Sequence, residues 1–287
     1  MMRTILVPLA QSLAGEPVLQ AALAVAKRMN SHIRAMFVRP EPETAMSYLP
    51  TLPMVGAAAG VTRDAIEREG RQAVGAARVS FDAWRSRHEI PEAPTDERLD
   101  SCFATWTEAV GEIEPVVTHF GRVSDLIVMS RFKANDLVAE RCFDAAVFGS
   151  GRPTLVVSAT LPWDMLDHVI IAWNGSLEAS HAVFGAMPLL RAAVRVSIFS
   201  VPEAETDQAS GAELAEALSW YGISARHVGR PETLGSTGAA LLTTAGHSEA
   251  TLIVMGAYTH SRLRQSFLGG VTREVLAKAT IPVLMTH

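Results

Sequence analysis

The tetrapeptide Leu-Ile-Val-Met occurs twice in this chain, at 126–129 and again at 252–255. The sequence around it repeats as well. RPTLVV at 152–157 aligns with IPVLMT at 281–286, and ILVP near the start aligns with the run VIIAW at 169–173. A chain whose pattern restarts halfway along is built from two copies of one supersecondary plan. That removes most architectures otherwise open to 287 residues. Each copy has the usual size of a domain, about 100–150 residues.

Within each copy, short apolar runs alternate with stretches at helical spacing. In the first, Thr4 to Pro8, Ile33 to Val38, Leu99 to Glu108, Leu126 to Met129 and Thr154 to Val157 read as strands. Val18 to Met29, Thr62 to His88 (Thr62 as N-cap), Glu112 to Phe120 and a short piece, Phe143 to Phe148, read as helices. Pro40, Pro42, Pro50 and Pro53 keep Pro40 to Gly60 irregular, a loop over the body or a partner surface. Ala159 to Asp167 reads as a linker. The second copy gives strands at Val169 to Trp173, Val194 to Val201, Ile223 to Val228, Leu252 to Met255 and after Pro282. Its helices are expected at Glu178 to Arg191 despite Pro188, at Asp207 to Tyr221, at Gly238 to Ser248, and through Val271, Val275 and Leu276.

Regular strand–helix alternation implies parallel strands joined by right-handed crossovers, with helices on both faces. The strands show no apolar–polar alternation, as expected when both faces are buried. The expected fold is therefore α/β: two tandem domains, 1–158 and 167–287, each a five-stranded parallel sheet flanked by helices.

Composition limits the function. Hydrophobic residues make up 48% and charged residues 19%, which suits a globular protein with a sizeable core. With a net charge of −5 and no basic block, nucleic acid is not an expected partner. No apolar run approaches the roughly 20 residues of a membrane-spanning helix, so no membrane partner is expected either. The two cysteines, Cys102 and Cys142, have neither metal nor disulfide spacing, and the cytoplasm is the expected compartment.

The richest stretch is Glu249 to His287. A strand ends at Gly256, and a loop follows with Thr259, His260, Ser261, Arg262 and Arg264. Gly269 and Gly270 then precede a helix starting at Val271–Thr272. Two glycines before a helix let the backbone approach a ligand, and the free N–H groups of the helix start favour a phosphate. Taken alone, a glycine pair in this place more often marks a plain tight turn before a helix. The basic loop residues either attract phosphate or form a solvated loop.

The duplication and this tail together make the chain resemble the universal stress protein family in its tandem two-domain form. Nucleotide-binding members carry Gly, two residues, Gly, nine residues, then Gly and a small or hydroxyl residue. Here Gly256 is the first glycine, residues 260–268 supply the nine, and Gly269–Gly270 closes the pattern. The resemblance implies Rossmann-like domains and a site for ATP or a related adenine nucleotide, with Mg, in the second copy. Its residues would be Ala172, Asn174, Gly175, Ser176, Gly256, Thr259, Arg262, Gly269, Gly270, Val271 and Thr272. Two positions depart from the pattern. Thr259 stands where the second Gly is expected, and its Cβ resists conformations open to Gly. Asn174 stands where Asp is usual, so a bond to a ribose hydroxyl loses its charge assistance.

The first copy departs further. Ser130, Arg131, Phe132 and Lys133 replace the Gly-x-x-Gly segment, Phe143–Asp144 falls near the Gly–Gly position, and the first turn, Ala10–Gln11–Ser12, has no acid. Its expected role is structural, as one half of an internal pseudo-dimer. Family members often pair through their last strand. Here Thr154–Val157 and Val283–Thr286 can pair inside one chain, with a further homodimer expected.

The resemblance implies a stress-response regulatory or sensing module; the alternative is a non-nucleotide interaction protein acting through dimerisation. Catalysis is not expected, although weak ATP hydrolysis stays open. No Gly-x-Ser-x-Gly elbow occurs, and no His pair has metal-binding spacing. Trp84, Trp106 and Trp220 are expected in core or interface, and Trp173 in the core, with a pocket wall as the alternative.

Overall fold

The computed structural model describes residues 2–10, 15–41, 63–92, 101–131, 136–158, 161–162, 164–200, 209–229, 235–257 and 270–287. The first half runs β1 (Thr4–Leu9), α1 (Glu16–Met29), β2 (His32–Arg39), α2 (Arg63–Arg87), β3 (Phe103–Val110), α3 (Ile113–Arg122), β4 (Leu126–Ser130), α4 (Leu137–Asp144) and β5 (Thr154–Val157). A π-helical turn, Ala145–Gly149, continues α4. The second half runs β6 (His168–Trp173), α5 (Leu177–Gly185), α6 (Met187–Ala192), β7 (Arg195–Ser200), α7 (Gly211–Ser219), β8 (Ala225–Gly229), α8 (Thr237–His247), β9 (Leu252–Gly256), α9 (Gly270–Lys278) and β10 (Val283–Thr286).

Among the described residues, the ten strands form one sheet in the order β3-β2-β1-β4-β5-β10-β9-β6-β7-β8. The first strand of each half therefore lies between the second and fourth. Neighbours within a half are parallel. The junction is antiparallel: β5 pairs with β10, Leu155 opposite Leu284 and Val156 opposite Val283. The last strands of the halves thus pair within one chain, as expected, and neither is a free edge. The carboxyl ends of the first half's strands consequently face the opposite rim from those of the second half.

Two apolar layers sandwich the sheet. Ile5 and Val7 face one layer with α1, α2, α5, α6 and α7, and Leu6 faces the other with α3, α4, α8 and α9. Each layer runs through both halves without a break. Burial on both sides explains the unbroken apolar runs of central strands such as β4 and β5, while the edge strands β3 and β8 are partly exposed.

Several boundaries differ from the sequence reading for identifiable reasons. The helix expected over Glu178 to Arg191 is two helices, because Pro188 lacks the N–H needed to continue α5 and instead sits in the first turn of α6. α7 begins at Gly211 because Ser210 caps it: its hydroxyl accepts from Glu213 N at 3.2 Å, and the Glu213 carboxylate accepts from Ser210 N at 2.6 Å. α4 begins at Leu137, well before Phe143, because Asp136 accepts from Ala139 N at 3.0 Å. In the expected linker, Met165 and Leu166 are buried in the first apolar layer. Trp84 and Trp173 are core residues and Trp106 packs, partly buried, against Phe37 and Phe81, but Trp220 is 83% exposed. Thr62 and residues 42–60 of the proline-rich segment lie outside the described residues.

Candidate functional site

β6 and β9 run side by side with Ala172 in register with Met255, so both strands release the chain on the same rim. This is the switch point of the half, since the chain crosses from β6 to β7 on one side and reaches β9 on the other. Open parallel sheets bind ligands in such a crevice.

Beyond β6 the chain turns through Asn174, Gly175 and Ser176. Gly175 takes φ +74°, a left-handed conformation that suits glycine. The Asn174 side-chain oxygen accepts from Ser176 N at 3.2 Å, closing an Asx turn. Ser176 then caps α5, its hydroxyl accepting from Ala179 N at 3.2 Å. Asn174 is exposed and keeps its amide donors and a second lone pair.

Across the crevice, Gly256 ends β9. A Cβ at that position would stand 2.6 Å from Ala179 N and 2.7 Å from the Glu178 carbonyl carbon. The first glycine of the sequence pattern is thus required by the approach of β9 to the first turn of α5. The structure brings together Ala172, the Asn174–Gly175–Ser176 turn and Gly256. It starts α9 at Gly270, which is exposed, with Val271 half-buried and Thr272 buried. Thr259, Arg262 and Gly269, with His260 and Arg264, lie outside the described residues.

Contacts between distant residues also shape this rim. The Trp173 indole N–H donates to Ala209 O at 2.7 Å, tying the end of β6 to the approach of α7. Ser200 Oγ and His227 Nε2 are 2.6 Å apart beside Gly211, where a Cβ would meet His227 at 2.7 Å. His287 Nδ1 donates to Ala257 O at 3.0 Å, and its ring packs edge-on against Phe148 of the first half at 4.9 Å. Each of these pairs joins residues far apart in sequence, so no local pattern announces them.

On α9, Glu274 receives bonds from Lys278 (2.8 Å) and from the Ser236 hydroxyl, which hold its carboxyl below the usual range. Among the described residues, no three His, Cys, Asp or Glu side chains gather to hold a metal ion. The donors on this rim are amide, hydroxyl and backbone N–H groups. Such groups can bond to hydroxyl and anionic oxygens of a ligand.

The first half is built differently at the equivalent places. The residue after β4 is Arg131, whose N–H donates to Val157 O at 2.7 Å, as Ala257 N donates to Thr286 O at 2.9 Å after β9. The counterpart of Gly269–Gly270 is Asp136–Leu137 rather than Phe143–Asp144, because α4 begins earlier than expected. There the Asp136 carboxylate itself takes a helix N–H group that a phosphate would use.

The sheet order and the position of the crevice define a doubly wound α/β protein. Residues 165–287 match the model of the Universal stress protein family. A universal stress protein from Archaeoglobus fulgidus is similar over 99% of this chain and 95% of its own, with TM-score 0.71 and 17% identity. A functionally unknown protein from Pseudomonas aeruginosa PAO1 is similar over 99% and 92%, with TM-score 0.57 and 15% identity. At these identities the likeness is one of fold, and it extends over both halves. No curated protein matches the chain.

Proposed function

We propose that the second half, 167–287, binds ATP or a related adenine nucleotide, and that the chain acts as a regulatory or sensing module in a cytoplasmic stress response. One observation carries this: the Asn174–Gly175–Ser176 turn and Gly256 flank the crevice between β6 and β9, in a half that matches the family. Asn174 takes a ribose hydroxyl. The N–H groups of Gly270, Val271 and Thr272 at the start of α9 take phosphate with Gly269, Thr259 and Arg262. The first half, 1–158, is a scaffold without a site of its own; Asp136 at the start of α4 supports that division. The protein is a binder rather than an enzyme.

The test is native mass spectrometry on fresh protein, then calorimetric titration with ATP and Mg²⁺. One saturable site per chain is expected, lost in Gly269→Asp and weakened in Asn174→Ala. No bound nucleotide and no heat up to millimolar ATP would sink the reading.

A second reading, an interaction protein acting as a homodimer, is favoured by one surface feature. Trp220 is 83% exposed beside Tyr221, and Tyr221 packs against Phe184 at 6.3 Å and under Arg191. Exposed aromatic groups of this kind mark association surfaces. A second copy of the chain is its expected occupant, and light scattering showing only monomer for both wild type and Trp220→Ser would remove it.

A further inference from the structure

α9 is nine residues long, too short to hold its shape without tertiary support. Its start carries the N–H groups assigned above to phosphate, so their usefulness depends on how firmly the helix is fixed. Glu274 ties it to the start of α8 through Ser236. The far end is held from outside the second half altogether. The Arg131 guanidinium, which follows β4, donates through Nη2 to Ala279 O. The Ser158 hydroxyl, which follows β5, donates to Thr280 O at 3.0 Å. These carbonyls lie just past the C-terminal end of α9, where helix acceptors lack intrahelical partners and a positive charge is favourable.

Arg131 is itself fixed before it reaches across. Its backbone N–H bonds to Val157 O at 2.7 Å, extending the β4–β5 ladder, and its side chain is half-buried. The comparison between halves sharpens the point. Arg131 occupies in the first half the place that Ala257 occupies in the second, one residue past the fourth strand and bonded to the end of the fifth. In the second half that place ends the described run that precedes Gly270. In the first half it carries a cation that grips the neighbour's helix.

We propose that Arg131, assisted by Ser158, is a positioning residue for the nucleotide site of the other half: it orders α9 from its C-terminal end so that the N-terminal N–H groups are set for phosphate. This rests on the nucleotide reading above and goes beyond it, because it gives the scaffold half a direct part in affinity. A helix that must be ordered on binding costs affinity, and one ordered in advance does not.

The experiment is hydrogen–deuterium exchange on the nucleotide-free full chain, paired with titration of ATP and Mg²⁺, for wild type, Arg131→Met, Arg131→Lys and Ser158→Ala. In Arg131→Met, amides of α9 are expected to exchange about tenfold faster, the scale of losing a cation at a helix C-terminus, while β6 and β9 keep their protection. Nucleotide affinity falls by a similar factor, and Arg131→Lys recovers part of both. Ser158→Ala gives a smaller change of the same sign and serves if Arg131→Met does not fold. Unchanged α9 protection in Arg131→Met overturns the proposal, as does lost protection with unchanged affinity. Protection lost equally in every element also overturns it, since Arg131 would then only hold the halves together. Selective loss in α9 with a wild type that binds no nucleotide overturns the nucleotide reading and the positioning role with it, and leaves Arg131 as a helix clamp.

Discussion

Gly256 and Ala179 approach so closely that a β-carbon on the glycine would lie 2.6 Å from the Ala179 backbone nitrogen. The atoms in the way are backbone atoms of the first turn of α5, which cannot rotate aside as a side-chain tip can. Gly256→Ala must therefore push β9 away from α5. The expected cost is about 1–3 kcal/mol, the range for overpacking a tight interior, measured by urea unfolding. The same shift widens the crevice beside Asn174, so the variant is expected to bind nucleotide more weakly even where it stays folded. A variant as stable as wild type would show that the approach is not tight.

The junction of the halves allows a direct measurement. Leu155 and Leu284 are paired in register across the β5–β10 ladder and are fully buried. Either change to Ala is expected to cost about 2–5 kcal/mol through lost burial and the cavity left behind. Because the two side chains sit on facing strands, the double variant should depart from additivity by about 0.5–3 kcal/mol. Additive losses would mean that the halves contribute independently at this ladder. Unfolding should also be a single transition, since both apolar layers run across the junction.

Much of this arrangement is legible in the sequence. LIVM at 126–129 and at 252–255 are β4 and β9, the equivalent fourth strands of the two halves, and the strands fall where the apolar runs lie. The reason is physical: strands buried on both faces leave a strong continuous signal. Helix ends were harder, because they depend on single side-chain bonds. Asp136 starts α4 before the apolar stretch at Phe143, and Ser210 starts α7 after the helical pattern has begun. At the site, the Asn174 turn and Gly256 are local patterns and can be read directly. That Gly256 is needed because α5 crosses it, or that Arg131 reaches Ala279, depends on partners far away in sequence and leaves no local trace.

His32 gives an expectation for acid. It begins β2, stacks on Phe103 at 4.5 Å and shares a 2.6 Å bond with the Thr105 hydroxyl. Burial, with Arg34 nearby, lowers its pKa to about 4. Its ordinary value is about 6.5, so the unfolded chain takes up the proton first. The stability due to neutral His32 is fully present above pH 6.5 and is lost as pH falls towards 4. In His32→Gln that part of the acid destabilisation should vanish. Urea midpoints at pH 7.5 and pH 5 decide the matter; an equal drop in both proteins would place the acid sensitivity elsewhere.

Asp144 works in the opposite direction. Partial burial, with Glu140 and Glu114 close by, pushes its carboxyl up to about 6. The folded protein therefore holds this proton more tightly than the unfolded chain, whose aspartate titrates near 3.9. Ionising Asp144 in the fold is unfavourable: the penalty is absent below about pH 4, grows between 4 and 6, and is complete above 6. Asp144→Asn should then be more stable than wild type at pH 7.5 and no more stable at pH 4. Salt should narrow the gap, since part of the penalty is repulsion from Glu140 and Glu114, and charges near a surface are screened. Urea unfolding of both proteins at pH 4 and 7.5, with and without added salt, separates the two causes. A gap that ignores salt assigns the shift to burial alone, and a gap of the same size at both pH values removes Asp144 as its source.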